Sequence, residues 1–377
     1  MSESLAASLL EPPAKPRQLT KRVATGYVAL ALLICSWVAQ SEVAQYIQAT
    51  LGFNKPYFVT WLNHSAMALL VPAYWRSGTR AKLETEFGMS VQRVLALMAV
   101  LSILYTFGDY AWYLALPFTS VAEATALFNS QSVFAYFFSV ILLNEALRPL
   151  KVLAMAISIG GICVITAFAS DGGGGGGGSG WHNGSLLVPP PSPPPPASGL
   201  ELLGGSRLVG DAFAVGAASA YAAYEVLYKR GLGEAGSDDT RLVNVATGLV
   251  GCCSIVVSLP GFFALDAGVE RFEMPPTLGI CLWLLLNAAL ALVYNACLML
   301  SVARLSPLTT SVGCMLTIPL ASLVDVLWHA TPFTWADAAG ATLIIGGFGL
   351  LLFAENAPAA PRVTQPATAG GVQDENR

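Results

Sequence analysis

Long apolar runs alternate with short polar breaks over almost the whole chain. A membrane-crossing helix needs about 20 mainly apolar residues. Read at that length, the pattern predicts ten spans: 23–47, 56–75, 93–116, 120–143, 151–170, 208–228, 242–264, 276–300, 306–328 and 334–354. The first run is too long for the apolar region of a signal peptide. It follows a basic leader (Lys15, Arg17, Lys21, Arg22) with no small-residue cleavage site, and is expected to act as a signal anchor. Residues 1–22 and 355–377 read as tails.

One break is different in kind. Residues 171–207 contain seven consecutive glycines from Gly172 to Gly178 and the run PPPSPPPP from Pro189 to Pro196. The glycines make a flexible coil and the prolines a stiff extended rod, so the segment reads as a disordered tether. Asn183-Gly184-Ser185 within it is an N-glycosylation sequon, with Asn183 the candidate acceptor. On either side, residues 23–170 and 208–354 carry five spans each. A shift of 186 residues lays Ile159-Gly160-Gly161 on Ile345-Gly346-Gly347, Ala115 on Ser301, Ser120 on Ser306 and Asp109 on Asn295. Five is odd, so two such copies lie in opposite orientations. The predicted class is therefore an all-α integral membrane protein with ten transmembrane helices as two inverted five-helix repeats, an arrangement used for alternating access around a midplane site. A duplicated membrane scaffold has the same pattern.

Composition agrees with a lipid environment. Of 377 residues, 55% are apolar and 11% charged, with mean hydropathy +0.61. That is about half the usual charge of a soluble domain, and too apolar for a disordered chain. The net charge of −4 and the lack of a basic stripe argue against nucleic acid as a partner. The seven cysteines all lie in apolar runs without metal-ligand spacing, and the three histidines are scattered. No metal or other cofactor is expected. The ten-span reading puts 16 of the 19 basic residues on the side of both termini, leaving Lys55, Arg207 and Arg271 opposite. Basic loops stay cytosolic, so both termini are expected in the cytosol.

Several segments resemble one family. They are Ser36-Trp37-Val38-Ala39-Gln40-Ser41-Glu42 followed by Asn54-Lys55-Pro56-Tyr57-Phe58; Thr119 to Asn129 with Leu143-Asn144-Glu145; and Ser158-Ile159-Gly160-Gly161. Further ones are Gly210-Asp211 with Tyr228-Lys229-Arg230, Pro260-Gly261-Phe262-Phe263, and Leu316-Thr317-Ile318-Pro319-Leu320 with Asp325. Together they resemble the F-type members of solute carrier family 35, within the drug/metabolite transporter superfamily of EamA-like repeats. The resemblance implies a ten-helix carrier on an endomembrane, vacuolar or Golgi. It points to thiamine-like organic cations as substrate, with nucleotide sugars, the cargo of other relatives, as the alternative. The Gly/Pro tether departs from the short loop usual at that position.

Ionisable groups at membrane depth are costly and face a cavity or a partner. Those in the spans are acidic: Glu42, Asp109, Glu123 and Asp325, with Glu225 near a helix end. Arg93 and Lys151 are the basic residues inside spans, each at the start of its own, and none lies deep. An acidic interior favours a cationic substrate or a coupling proton over an anion. Asp109 leads, because Tyr105, Tyr110 and Tyr113 around it offer ring faces to a cation. Its alternative is a neutral acid bonded to the next helix. Glu123 lies across the tight turn at Pro117 and is expected to share a vestibule with Asp109, or to serve as a helix-start carboxylate. Asn129 and Gln131 lie deeper in the same span.

Glu42 ends a polar stretch suited to a cavity wall, and Asp325 reads as a wet span end. Glu225 reads as the i,i+4 partner of Lys229. His64 is a proton shuttle or a bonded core histidine, and Asn287 and Asn295 are interhelical glue or path lining. Pro319 is the candidate gate hinge. No enzymatic constellation is evident. The expected partners are a small-molecule substrate and the lipid bilayer, and a homodimer is compatible with the pattern.

Overall fold

The computed structural model describes residues 16–115, 121–168, 207–266, 270–328 and 333–356, and the regular structure in them is all helical. In chain order the helices are α1 (Pro16–Gln45), α2 (Pro56–Ala66), α3 (Leu70–Tyr74), α4 (Thr79–Phe87), α5 (Val91–Ala115), α6 (Val121–Phe128), α7 (Gln131–Leu142) and α8 (Pro149–Phe168). There follow α9 (Arg207–Asp238), α10 (Thr240–Val257), α11 (Leu259–Asp266), α12 (Leu278–Arg304), α13 (Pro307–Cys314), α14 (Thr317–Trp328) and α15 (Trp335–Asn356). The sequon at Asn183 lies outside the described residues, and so do the side chains of Tyr113, Glu123 and Asp325.

Among the described residues, seven stretches are long and apolar enough to cross a membrane: Lys21–Gln48, Val91–Trp112, Pro149–Phe168, Thr240–Asp266, Leu278–Arg304, Pro307–Val324 and Trp335–Asn356. The other three predicted spans are helical but depart from that standard. The second is broken by a 3-10 turn at Met67–Leu69 between α2 and α3. Pro72 follows, and proline cannot donate the hydrogen bond to the residue four before it, here Ala68. The fourth breaks at Asn129 and Ser130 between α6 and α7. The sixth, α9, carries Asp211, Glu225, Lys229 and Arg230 along its length. Near its end Gly233 has φ 67° and ψ −179°, a conformation that only glycine adopts at low cost, and the helix kinks there.

The ninth span breaks by the same logic as the second. Pro319 sits in the first turn of α14, where a missing N–H costs least. The carbonyl it cannot serve is that of Met315, which accepts instead from the Ile318 N–H at 3.1 Å. The interruption therefore lies at Met315–Leu316, ahead of the proline.

The breaks in the fourth and ninth spans correspond in position. A shift of 186 residues, the difference between 317 and 131, carries Gln131–Leu142 onto Thr317–Trp328 at both ends. The same shift takes the end of α6 to the end of α13 and the start of α8 to the start of α15. Packing follows suit: α1 lies along α12, α5 along α9, and α8 along α15. At the α8–α15 contact, a β-carbon on Gly161 would lie 2.7 Å from the Gly340 carbonyl oxygen, and one on Gly347 2.8 Å from that of Ala154. Bare backbone on each helix lets the other approach, as small residues do in membrane interfaces.

The bundle exposes large apolar side chains on its outside and buries polar ones among its apolar core. Phe107, Phe137, Leu285 and Phe353 stand exposed, while Thr247, Thr310, Ser158 and Ser301 are buried. A water-soluble fold shows the reverse; this one suits a hydrocarbon solvent.

Charges collect at the ends. At one end Arg22 (3.1 Å) and Arg304 (3.2 Å) both meet Asp238, Lys82 meets Asp239, and the Arg148 guanidinium donates to the Ala354 carbonyl at 2.9 Å. At the other, Lys55 pairs with Glu273 at 3.1 Å, and Glu270 accepts from the N–H groups of Tyr57 (2.9 Å) and Phe58 (3.1 Å). Asp239 also caps α10, accepting from the N–H groups of Arg241 and Leu242. Partial burial pushes its carboxyl up, but the Lys82 ammonium and the two N–H groups outweigh this and hold it below the ordinary 3.8. A depressed carboxylate stabilises the fold above the unfolded-state value and loses that contribution as pH falls through its own. Asp239→Asn should therefore lower thermal stability at neutral pH. The gap to the wild type should close on acidification below about pH 4, as followed by melting in detergent at a series of pH values.

Candidate functional site

Asp109 stands on α5, one turn beyond Tyr105 on the same face. Its Oδ2 meets the His64 Nε2 of α2 at 2.5 Å, and its Oδ1 accepts from the Tyr221 hydroxyl of α9. Gly108 makes the second contact possible. A β-carbon there would come within 2.6 Å of the Tyr221 ring. Gly108→Ala should push the ring away, and a spectral titration of the tyrosine hydroxyls should show one of them altered.

The rings of His64 and Tyr105 stack at 4.1 Å, and those of Tyr105 and Tyr224 at 4.9 Å. The three form a column beside the carboxylate. Tyr221 closes it edge-on against Tyr105 at 5.4 Å. The Tyr105 hydroxyl donates to the Asn295 Oδ1 of α12 at 2.6 Å, and the Asn295 amide donates back to the Ala291 carbonyl. His64 is 2% exposed and Asp109 24%. The His64 Nδ1 is buried without a hydrogen-bond partner among the described residues. A proton on Nε2 alone serves Asp109 and leaves only an unfilled lone pair, whereas a second proton would be a stranded donor. With that tautomer the Asp109 carboxyl group meets two neutral donors next to a wall of ring faces.

A second polar cluster lies one turn along α9 from Tyr221. Glu225 is 1% exposed. Its Oε1 accepts from the Gln131 amide of α7 at 3.0 Å, and its Oε2 lies 2.8 Å from the Ser311 Oγ of α13. The expectation that Glu225 pairs with Lys229 at a helix end is corrected. Glu225 meets Gln131 and Ser311, and the Lys229 ammonium donates to the Leu305 carbonyl at 2.6 Å. The reason is the break in the fourth span, which turns Gln131 toward α9.

Of the sequence candidates, Asp109, His64, Tyr105 and Asn295 come together, and Gln131 belongs to the Glu225 cluster. Tyr110 faces elsewhere, edge-on to Tyr57 at 5.5 Å. Asn287 donates to the Asn63 side chain at 3.0 Å, an interhelical link. Asn129 is buried at the fourth-span break. Glu42 is half-buried on α1, just before a π-helical turn at Tyr46–Thr50. Glu123 lies on α6, its side chain undescribed. Sequence reasoning missed Tyr221, Tyr224 and Ser311. The spacing Tyr221–Glu225, i to i+4 on one face of a long helix, was the signal for the first.

Residues 24–167, covering most of α1 through α8, match the EamA-like transporter family. This segment is similar to an EamA-like transporter domain. Along most of its length the chain is 26% identical to an uncharacterized vacuolar membrane protein of Saccharomyces cerevisiae, covering 88% of this chain and 90% of that one. It is 25% identical to the thiamine-repressible mitochondrial transport protein of the same yeast, over 86% of this chain and 90% of that one. Solute carrier family 35 member F3 of Mus musculus is 21% identical over 89% of this chain and 74% of its own. These relatives support the F-type solute carrier assignment and a multi-pass membrane transporter. A solved crystal structure shares the fold, with a TM-score of 0.54 at 16% identity over 89% of this chain and 97% of its own.

Proposed function

We propose that this EamA-like transporter is an alternating-access carrier of a thiamine-like organic cation, built as ten spans in two inverted five-helix repeats. The observation that carries the substrate class is Asp109, a partly exposed carboxylate with neutral donors only, beside the stacked rings of His64, Tyr105 and Tyr224. A carboxylate supplies the counter-charge and ring faces attract a cation, by about 0.5–2 kcal/mol per contact. The two-repeat reading is supported by the 186-residue shift that superposes α7 on α14, and by the exchange of partners between α1–α12 and α5–α9. A nucleotide sugar would need interior cations. Among the described residues the paired lysines and arginines sit at the bundle ends.

The charge-rich end holding Arg22, Lys82 and Arg304 is the cytosolic one in this reading, on a vacuolar or Golgi membrane. Asn183 then lies on the far side, and glycosidase-sensitive mass there tests the orientation; a cytosolic label on that segment would overturn it. The function itself is tested with purified protein in liposomes. Labelled thiamine should enter, and should be competed by unlabelled thiamine but not by a nucleotide sugar. Failure to take up thiamine or other organic cations would remove this substrate class.

A further inference from the structure

The Glu225 cluster contains one proton fewer than its geometry requires. The Ser311 Oγ lies 2.8 Å from the Glu225 Oε2 and also 2.8 Å from the Pro307 carbonyl oxygen, four residues back in its own helix. A hydroxyl has one hydrogen and both neighbours are acceptors if Glu225 is ionised. One hydrogen cannot be directed along both lines. Placing a proton on Glu225 resolves the conflict: the acid donates to the Ser311 Oγ, Ser311 donates to the Pro307 carbonyl, and the Gln131 amide donates to the remaining oxygen.

Burial points the same way. An ionised carboxylate out of water costs several kcal/mol unless a cation or a full set of donors offsets it. Around Glu225, α7 contributes Gln131, α12 contributes Tyr294, and α13 contributes Ser311 and Cys314. On α9 itself, Tyr224 adjoins it and Lys229 is committed to the Leu305 carbonyl. The ionisable groups of α5 on this side are Tyr105 and Asp109, neither of which brings a positive charge. Glu123 of α6 adds no positive charge. Asp109 contrasts with Glu225: neither of its partners, His64 and Tyr221, is shared with a backbone carbonyl as Ser311 is, and it is partly exposed.

We propose that Glu225, with Gln131 and Ser311, is a proton-binding site separate from Asp109, and that it holds one proton in this conformation. On release the O–H bond of the acid breaks and the proton passes to a water molecule admitted to the cluster. The Ser311 hydroxyl then turns from Pro307 to the carboxylate it leaves behind. Tyr221, which donates to Asp109 from α9, lies one turn along that helix from Glu225, so the two acids sit near each other with different partners.

Infrared spectroscopy of the full-length protein in liposomes at neutral pH reads this without any substrate. The wild type should show the carbonyl stretch of a protonated carboxylic acid shielded from water. Glu225→Gln should abolish it and Asp109→Asn should leave it in place. Ser311→Ala, a mild change that keeps Glu225, should shift the band upward by removing its hydrogen-bond acceptor. A wild type with no such band overturns the proposal, whatever happens to the variants. So does a band that survives Glu225→Gln or disappears in Asp109→Asn. A second arm rests on the carrier reading. Acceleration of thiamine uptake by a pH gradient should vanish in Glu225→Gln while thiamine exchange persists. Absence of any thiamine transport defeats the carrier reading and leaves the infrared result standing.

Discussion

Asp109→Asn should cut the initial rate of thiamine uptake about 10- to 100-fold, since a hydrogen bond or contact to a charged group contributes roughly 1.5–3 kcal/mol and each 1.4 kcal/mol is tenfold. The substitution suits the question because it is nearly isosteric. An amide oxygen still accepts from the Tyr221 hydroxyl, while the His64 proton has to move to Nδ1, where it meets no partner among the described residues and costs about 1–3 kcal/mol of stability. The fold around the site should survive, so the loss reports the counter-charge. Two readouts separate this from a structural effect. Melting in detergent should remain cooperative with only a modest loss of stability, and competition should weaken for permanently cationic ligands more than for neutral analogues of the same shape. Undiminished uptake would take Asp109 out of the transport mechanism.

Gly161→Leu should destabilise the protein by about 1–3 kcal/mol or more, the usual range for overpacking a close contact. The first carbon added at Gly161 would stand 2.7 Å from the Gly340 carbonyl oxygen and 2.9 Å from the Ile344 side chain. Backbone cannot rotate aside as a side chain can, so α8 and α15 have to separate. Leucine is a far better helix former than glycine, which makes the neighbouring residue a clean control. Gly160 is on the same helix but has nothing within 4 Å of its added carbon. Gly160→Leu should therefore be neutral or stabilising. The pair is read by the fraction of monodisperse protein after heating, and equal behaviour of the two variants would contradict the α8–α15 contact.

Much of the architecture was legible because apolar run length is a one-dimensional property. The membrane class, the positions of the long spans and the 186-residue correspondence all follow from composition and spacing along the chain. Asp109 was legible too, since an acid amid aromatic residues at membrane depth is conspicuous whatever it touches. The broken spans were only half visible. Pro319 announced an interruption, but a proline acts on the carbonyl four residues earlier, which moved the break to Met315–Leu316. At Asn129–Ser130 no proline marks the break, so a continuous apolar run concealed it.

The site itself divides along the same line. Sequence alone determined that the interior is acidic and lacks internal cations, because that is a count of residue types within spans. It could not say which acids meet, since Asp109, His64 and Tyr221 lie on three helices far apart in the chain. Only the tertiary structure decided that His64 belongs to Asp109 and that Glu225 is sealed among Gln131 and Ser311 rather than paired with Lys229. The physical reason is that a charge's state depends on its donors and on its distance from water. Both are set by how helices pack, and neither is written in the spacing of residues along one of them.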